Sequence, residues 1–300
     1  MKIFKLIPNN TNLDFLSLRY MSFFVSVIIT ISTFLGLYTK GLNLGIDFEG
    51  GIILEIKTEK KLNSVLIRQC LEENGYDNPI IQSYDINKAS IRLHSKIDNN
   101  YQEEISVLKN ALLTEIDQNV QFNRIDYVGP RISGDMVKNS LKAFISALVV
   151  IMIYVWIRFN WKFGMCALIS LFHDIVATIG FFLLTKYEFN ITSIAAILTV
   201  VGYSINDSVV IYDRIREKMK KLRKNISIKL INASINETLS RTIMTFLTTF
   251  LASIALGIFG GENLKSFGMS ISFGIAFGTY SSIFISTALL PYFYKSNVTK

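Results

Sequence analysis

Residues Gly202–Glu217 read GYSINDSVVIYDRIRE. The stretch closes a strongly apolar run that opens at Ile191, and it holds one acid, Asp207, inside that run before ending in Tyr212-Asp213-Arg214 and a basic segment. An apolar run of about twenty residues crosses a bilayer as a helix. A carboxylate at membrane depth costs about 2.5–3.5 kcal/mol on the mildest insertion scale. Protonation, a cationic partner or a wet cavity offsets that cost, and each is also a way to build a proton or ion pathway. A helix ending earlier would leave Asp207 among lipid headgroups, but Val209, Val210 and Ile211 continue the apolar run past it.

The rest of the chain is read outward from this helix. Of the 300 residues 50% are hydrophobic and only 18% charged, and the mean hydropathy is +0.38. A soluble domain carries more charge. Further apolar runs occupy residues 20–38, 137–157, 163–185, 242–259 and 267–290, so with 189–211 there are six spans. The first is longer than the apolar part of a signal peptide, and Thr39-Lys40-Gly41 is no cleavage site, so it reads as an uncleaved anchor. Six spans put both termini, residues 1–19 and 291–300, on one side. Arg158 and Lys162, the basic loop 212–241 (Arg214 through Lys229, with Lys224), and Lys295 and Lys300 mark that side as cytoplasmic. The net charge of +8 then reflects topology and attraction to the lipid bilayer, not a nucleic-acid surface.

Residues 39–136 form a polar insert between the first two spans, placed in the periplasm by the same rule. Their pattern is β-α-β-β-α-β: strand Ile52–Lys57, helix Lys61–Asn74, strands Pro79–Tyr84 and Ser90–His94 around a turn at Asp85–Ala89, helix Tyr101–Gln118, and strand Val120–Val128. Leu62, Val65, Leu66, Cys70 or Gln69, and Leu71 fall near one face of the first helix, and Ile105, Leu108, Leu112 and Ile116 on one face of the second. The order is that of the split βαβ, ferredoxin-like fold. The expected architecture is therefore an α-helical membrane protein of six transmembrane helices, resembling half of a larger transporter, with one α+β ferredoxin-like periplasmic domain between helices 1 and 2.

The fourth, fifth and sixth spans carry small or polar stripes. Gly202 lies in the first of these stripes, and Gly257-x-x-x-Gly261 and Gly274-x-x-x-Gly278 are spaced for close helix packing. These stripes predict that the last three spans form the bundle interior while the first faces lipid. Arg241 opens the fifth span, and Asp207 lies about six residues, or roughly 9 Å, from the end of the fourth. Arg241 can therefore meet Asp207 at similar depth, making proton affinity depend on conformation, or reach a lipid phosphate instead. His173-Asp174, near the middle of the third span, is either part of a proton relay or a self-satisfied structural pair. Asp213 and Glu217 read as a solvated helix end with i,i+4 pairs.

Cys70, Cys166, His94 and His173 offer no metal-ligand spacing, and no Walker A loop, nucleophile elbow or dinucleotide fingerprint is present. No cofactor, metal or enzymatic activity is expected.

Several motifs resemble the SecF family, the smaller membrane subunits of the SecD–SecF translocation complex in the RND superfamily. They are Leu44–Gly51 (LGIDFEGG), Val128-Gly129-Pro130 with Gly134, Val201–Glu217 (VGYSINDSVVIYDRIRE), Leu239–Thr249 (LSRTIMTFLTT) with Phe259-Gly260-Gly261, and Phe273–Ser286 (FGIAFGTYSSIFIS). Glu49 stands where the family usually has a small or hydroxyl residue, and Thr287-Ala288 replaces a common small-residue–proline step. The resemblance implies a bacterial inner-membrane subunit that pairs with SecD, associates with the SecYEG channel after SecA has acted, and uses the proton-motive force to complete preprotein translocation. It implies Asp207 and Arg241 as members of the proton pathway. Half of an RND small-molecule exporter and a non-transporting scaffold are the competing readings, and sodium is an alternative coupling ion.

Overall fold

The computed structural model describes residues 11–59, 61–76, 79–93, 101–223 and 226–294. The chain divides into two compact units, Met1–Asn43 with Ala143–Lys300, and Leu44–Lys142. In chain order the helices and strands are α1 (Arg19–Lys40), α2 (Ile46–Glu49), β1 (Gly51–Lys57), α3 (Ser64–Glu73), β2 (Ile80–Asp85), β3 (Lys88–Leu93), α4 (Tyr101–Glu115), β4 (Gln121–Val128), α5 (Pro130–Arg158), α6 (Trp161–Thr185), α7 (Ile191–Leu222), α8 (Ile228–Phe259), α9 (Gly261–Ser281) and α10 (Thr287–Phe293). A π-helical turn, Ser282–Ser286, joins the last two. Lys2, Lys5, His94, Lys224, Lys295 and Lys300 lie outside the described residues.

The smaller unit is an antiparallel four-stranded sheet in the order β2-β3-β1-β4. That order, with α3 and α4 as the crossovers, is the ferredoxin-like arrangement. Central strand β1 sets Leu54 opposite Ile91 and Ile125. Ile52, Leu54 and Ile56 point to one core with Leu108 and Leu112 of α4. The β2–β3 hairpin is tighter than the sequence suggested, because Asp85 and Lys88 themselves pair across the turn. Helix α3 starts at Ser64, where Asn63 Oδ1 accepts the Val65 N–H at 3.0 Å. It buries Ile67, Cys70 and Leu71, an i, i+3, i+4 set, and leaves Val65 and Leu66 61% and 52% exposed. The face expected from Val65 and Leu66 is thus turned away from the core.

Burial pushes the Cys70 thiol up to about 12, with the nearby Glu115 adding to the rise. The thiolate is the reactive form, so Cys70 is protected twice, by protonation and by lack of access. Leu54→Ala is expected to cost about 2–5 kcal/mol. Peptide-resolved alkylation checks it: Cys70 labelling should accelerate at least about tenfold as the unit opens more often.

In the larger unit α1 inverts the usual order of burial. On α1 the buried residues are Ser22, Ser26 and Thr33, while Phe24, Ile28, Ile31, Phe34 and Leu35 are exposed. Apolar side chains outward and small polar ones inward is how a helix meets lipid on one side and other helices on the other. Among the described residues, six helices are long and apolar enough to cross a membrane: Phe15–Lys40, Ile132–Arg158, Trp161–Thr185, Ile191–Leu222, Ile228–Phe259 and Leu264–Phe293. The interior is made by α6, α7 and the α9–α10 segment; 61% of the most apolar stretch of α6 is buried, against 17% for α8. The expected interior of the last three spans is corrected here, with α6 taking the place of α8. Helix α6 presents Ala167, Ser170, Ala177, Thr178 and Gly180 inward, small residues that let neighbours approach. On α8, Thr245 and Thr248 donate to carbonyls of their own helix, while Thr249 reaches across to Tyr203 of α7 at 3.0 Å.

Residues 212–241 are not a loop for most of their length. Helix α7 runs on to Leu222, and α8 begins at Ile228 under a Ser227 cap. The extensions are held by charges: Arg214 and Lys218 to Glu237 at 2.5 and 2.7 Å, Lys221 to Glu217 at 2.7 Å, and Arg158 of α5 to Asp213 at 2.8 Å. Glu217 keeps to i,i+3 and i,i+4 pairs within α7, as expected, whereas Asp213 ties α7 to α5.

Candidate functional site

Asp207 sits on the inner face of α7, 2% exposed. Its Oδ2 accepts one long hydrogen bond, from Thr279 Oγ1 of α9 at 3.4 Å. Arg241 and Thr245 of α8 are within electrostatic reach of the carboxylate. Among the described residues, however, Asp207 and Arg241 form no ion pair, and the Arg241 side chain is exposed. Asp207 and Arg241 thus share a neighbourhood without a direct contact. Because α7 continues past Ile211, the depth of Asp207 cannot be counted from a helix end there.

One turn earlier on α7 lies Ser204, and it belongs to a second buried acid. Asp174 of α6 is fully buried; its Oδ2 accepts from Ser204 Oγ at 2.5 Å and from Ser281 Oγ of α9 at 2.8 Å. Its Oδ1 lies 3.2 Å from Nδ1 of His173. His173 packs between the rings of Phe277 and Tyr280, and its Nε2 is buried without a partner. Both acids therefore address the same two helices, Asp174 through Ser204 and Ser281, Asp207 from α7 to Thr279 on α9.

Further along, Ser208 Oγ donates to Ser286 Oγ at 3.3 Å, and Tyr212 shares a hydrogen bond with Ser286. Ser286 ends the π-helical turn, a local widening of the helix that often marks functional sites. The result is a line of polar side chains along the α7–α9 contact. Ser204, Ser208, Tyr212, Thr279 and Ser286 were not singled out from the sequence. The spacing Ser204, Ser208, Tyr212, one turn each, was the available signal.

The glycines sort by what surrounds them. A Cβ on Gly274 would stand 2.3 Å from Val200 Cγ2, and one on Gly278 would stand 3.1 Å from Ser204 Cβ. Gly257 faces Met269 at 2.9 Å. Gly202 and Gly261 have nothing within 4 Å of that position, so neither is a close-packing glycine in this chain. Gly261 has φ of +72° instead and opens α9 in a conformation that glycine favours.

Comparison with known proteins gives one answer. Residues 108–296 match the family described as Protein export membrane protein SecD/SecF, C-terminal, and residues 36–61 match the SecD/SecF GG Motif, which contains Gly50-Gly51. The chain is 41% identical over 297 residues to Protein translocase subunit SecF of Rickettsia bellii, covering 99% of this chain and 98% of that one. It is 40% identical to the same-named protein of Rickettsia akari, covering 96% and 94%. The crystal structure of SecDF, a translocon-associated membrane protein from Thermus thermophilus, superposes with a TM-score of 0.86 at 32% identity. That match covers 97% of this chain and 40% of the Thermus chain. SecDF in a super-membrane-facing form gives a TM-score of 0.68 at 34% identity, covering 94% and 38%. This chain thus spans about two fifths of the solved chains it matches. With the family matched across most of its length and a full-length relative at 41% identity, the chain belongs to the SecD/SecF family of protein export membrane proteins.

Proposed function

We propose that this chain is a membrane subunit of protein export that works with a SecD-type partner and draws on the proton-motive force. In this reading it acts on preprotein late, at a SecYEG-type channel, after SecA. It lies in the bacterial inner membrane with both termini cytoplasmic, as the Lys and Arg in the short loops favour, and the ferredoxin-like unit is periplasmic. Asp207 is the acid that gains and loses a proton, and Arg241 is the cation whose approach sets its proton affinity.

The observation that carries the reading is the state of Asp207. It is buried in a membrane helix, yet among the described residues its one direct hydrogen bond is the 3.4 Å contact with Thr279, with Thr245 and Arg241 of α8 nearby. A structural acid at that depth is expected to be closely paired. An underpaired one is suited to exchange an ion. Export by inverted membrane vesicles tests the reading, with and without a proton gradient and with the chain present or depleted. A gradient response that depends on the chain supports it. Equal responses would count against it. Replacing sodium by choline in the same assay separates proton from sodium coupling. Co-purification with a SecD-type chain, rather than with an outer-membrane channel, separates export from small-molecule efflux.

A further inference from the structure

The two buried acids are not equivalent. Both oxygens of the Asp174 carboxyl group are engaged, from three sides: Ser204 of α7 and Ser281 of α9 on Oδ2, and the neighbouring His173 ring on Oδ1. The Ser281 hydroxyl has one hydrogen and also lies 3.0 Å from the Gly278 carbonyl. The shorter, charge-assisted contact to Asp174 is the stronger choice. The 3.2 Å contact between Asp174 Oδ1 and His173 Nδ1 is a hydrogen bond that either group can donate. Asp207 has one long contact and spare capacity.

The register links the two sites. Ser204 precedes Asp207 by one helical turn on α7, and Ser281 follows Thr279 by two residues on α9. Gly278, between helices at this level, lets α9 come close to Ser204. Asp174 thus clamps α7 and α9 to each other immediately beside the place where Asp207 meets Thr279.

We propose that Asp174 is a positioning residue and not an ion-exchanging one: through Ser204 and Ser281 it sets the α7–α9 spacing at which Asp207 and Thr279 face each other. The proposal rests on Asp207 being the exchanging acid. It makes a sharp distinction between an amide and a truncation. In Asp174→Asn the amide oxygen accepts both serine hydroxyls, and the amide N–H donates to His173 Nδ1 in its other tautomer. The clamp survives without a titratable group.

The test is gradient-stimulated export in vesicles at matched assembly with the partner subunit, with gradient-independent export as the internal reference. Asp174→Asn should keep the gradient response within about threefold of wild type, since it loses no hydrogen bond outright. Asp174→Ala should lose at least about tenfold of that response, the cost of freeing two interhelical bonds. If Asp174→Ala fails to assemble, Ser204→Ala with Ser281→Ala removes the same two bonds while leaving the acid, and should show the same loss. An Asp174→Asn variant as unresponsive as Asp207→Asn would overturn the proposal, because the proton itself would then matter. A wild-type response from the double serine variant would overturn it too. Full response of Asp207→Asn would instead strike down the ion-exchanging role proposed for Asp207, so the two failures are distinct.

Discussion

Asp207→Asn is expected to bring gradient-stimulated export down to the level seen without a gradient, while the variant still assembles. The amide is close to isosteric, and its oxygen can still accept from Thr279 Oγ1. Packing around α7 should therefore hold. What is removed is the ability to take up and release a proton at a site with 2% exposure. Removing the acid also removes the field that acts on Arg241, which lies within electrostatic reach without contact. A carboxylate that only braced the bundle would behave otherwise, with an asparagine in its place changing stability slightly and leaving the gradient response intact. Vesicle export measured at matched levels of the assembled complex decides between them. Equal responses of wild type and Asp207→Asn would make Asp207 a structural acid and move the search for coupling residues to the partner.

Asp207 was legible in the sequence because it stands alone: one acid within a membrane-length apolar run needs an explanation whatever surrounds it. The six spans and the βαββαβ insert were legible for a similar reason, since run length and alternation survive without knowledge of packing. The partners of the acids were not. A hydroxyl on a membrane helix reads the same whether it bonds its own helix, as Thr245 does, or crosses to another, as Ser204 does. Only the rotation and crossing of the helices decide, and those depend on all neighbours at once. The same cause moved the interior from α8 to α6. A stripe of hydroxyls looks like an inward face, but on α8 Thr245 and Thr248 satisfy themselves on the preceding turn while Thr249 and Ser253 cross to α7 and α9. The long cytoplasmic-looking basic segment hid helix for a different reason. Its charges pair across α5, α7 and α8, so their number marks a helical junction and not a solvated loop.

Spacing found the close contacts at Gly257, Gly274 and Gly278 but not the backbone-to-backbone one, and the strongest stability prediction comes from that. Gly268 lies outside the Gly-x-x-x-Gly pairs that spacing marks for close packing. Yet a Cβ there would stand 2.5 Å from the Gly257 nitrogen, 2.7 Å from the Ser253 carbonyl oxygen and 2.8 Å from the Gly257 Cα. All three are backbone atoms of α8, so no rotamer change relieves the clash. Helices α8 and α9 must separate. One turn along, the 2.7 Å hydroxyl bond between Ser253 and Ser272 depends on the same approach and would be lost with it. Overpacking costs about 1–3 kcal/mol and a lost hydrogen bond about 0.5–1.5 kcal/mol, so Gly268→Ala is expected to destabilise the chain by about 2–4 kcal/mol. Two companions calibrate the result. Gly278→Ala meets the Ser204 side chain at 3.1 Å and should cost less. Gly202→Ala enters open space in a helix, where alanine is favoured over glycine by up to about 1 kcal/mol. Thermal denaturation of the purified chain in one detergent should rank the midpoints Gly268→Ala lowest, then Gly278→Ala, with Gly202→Ala at or above wild type. A Gly268→Ala chain that melts with wild type would mean that α8 and α9 do not meet backbone to backbone, and the Ser253–Ser272 bond would have to be given up with that contact.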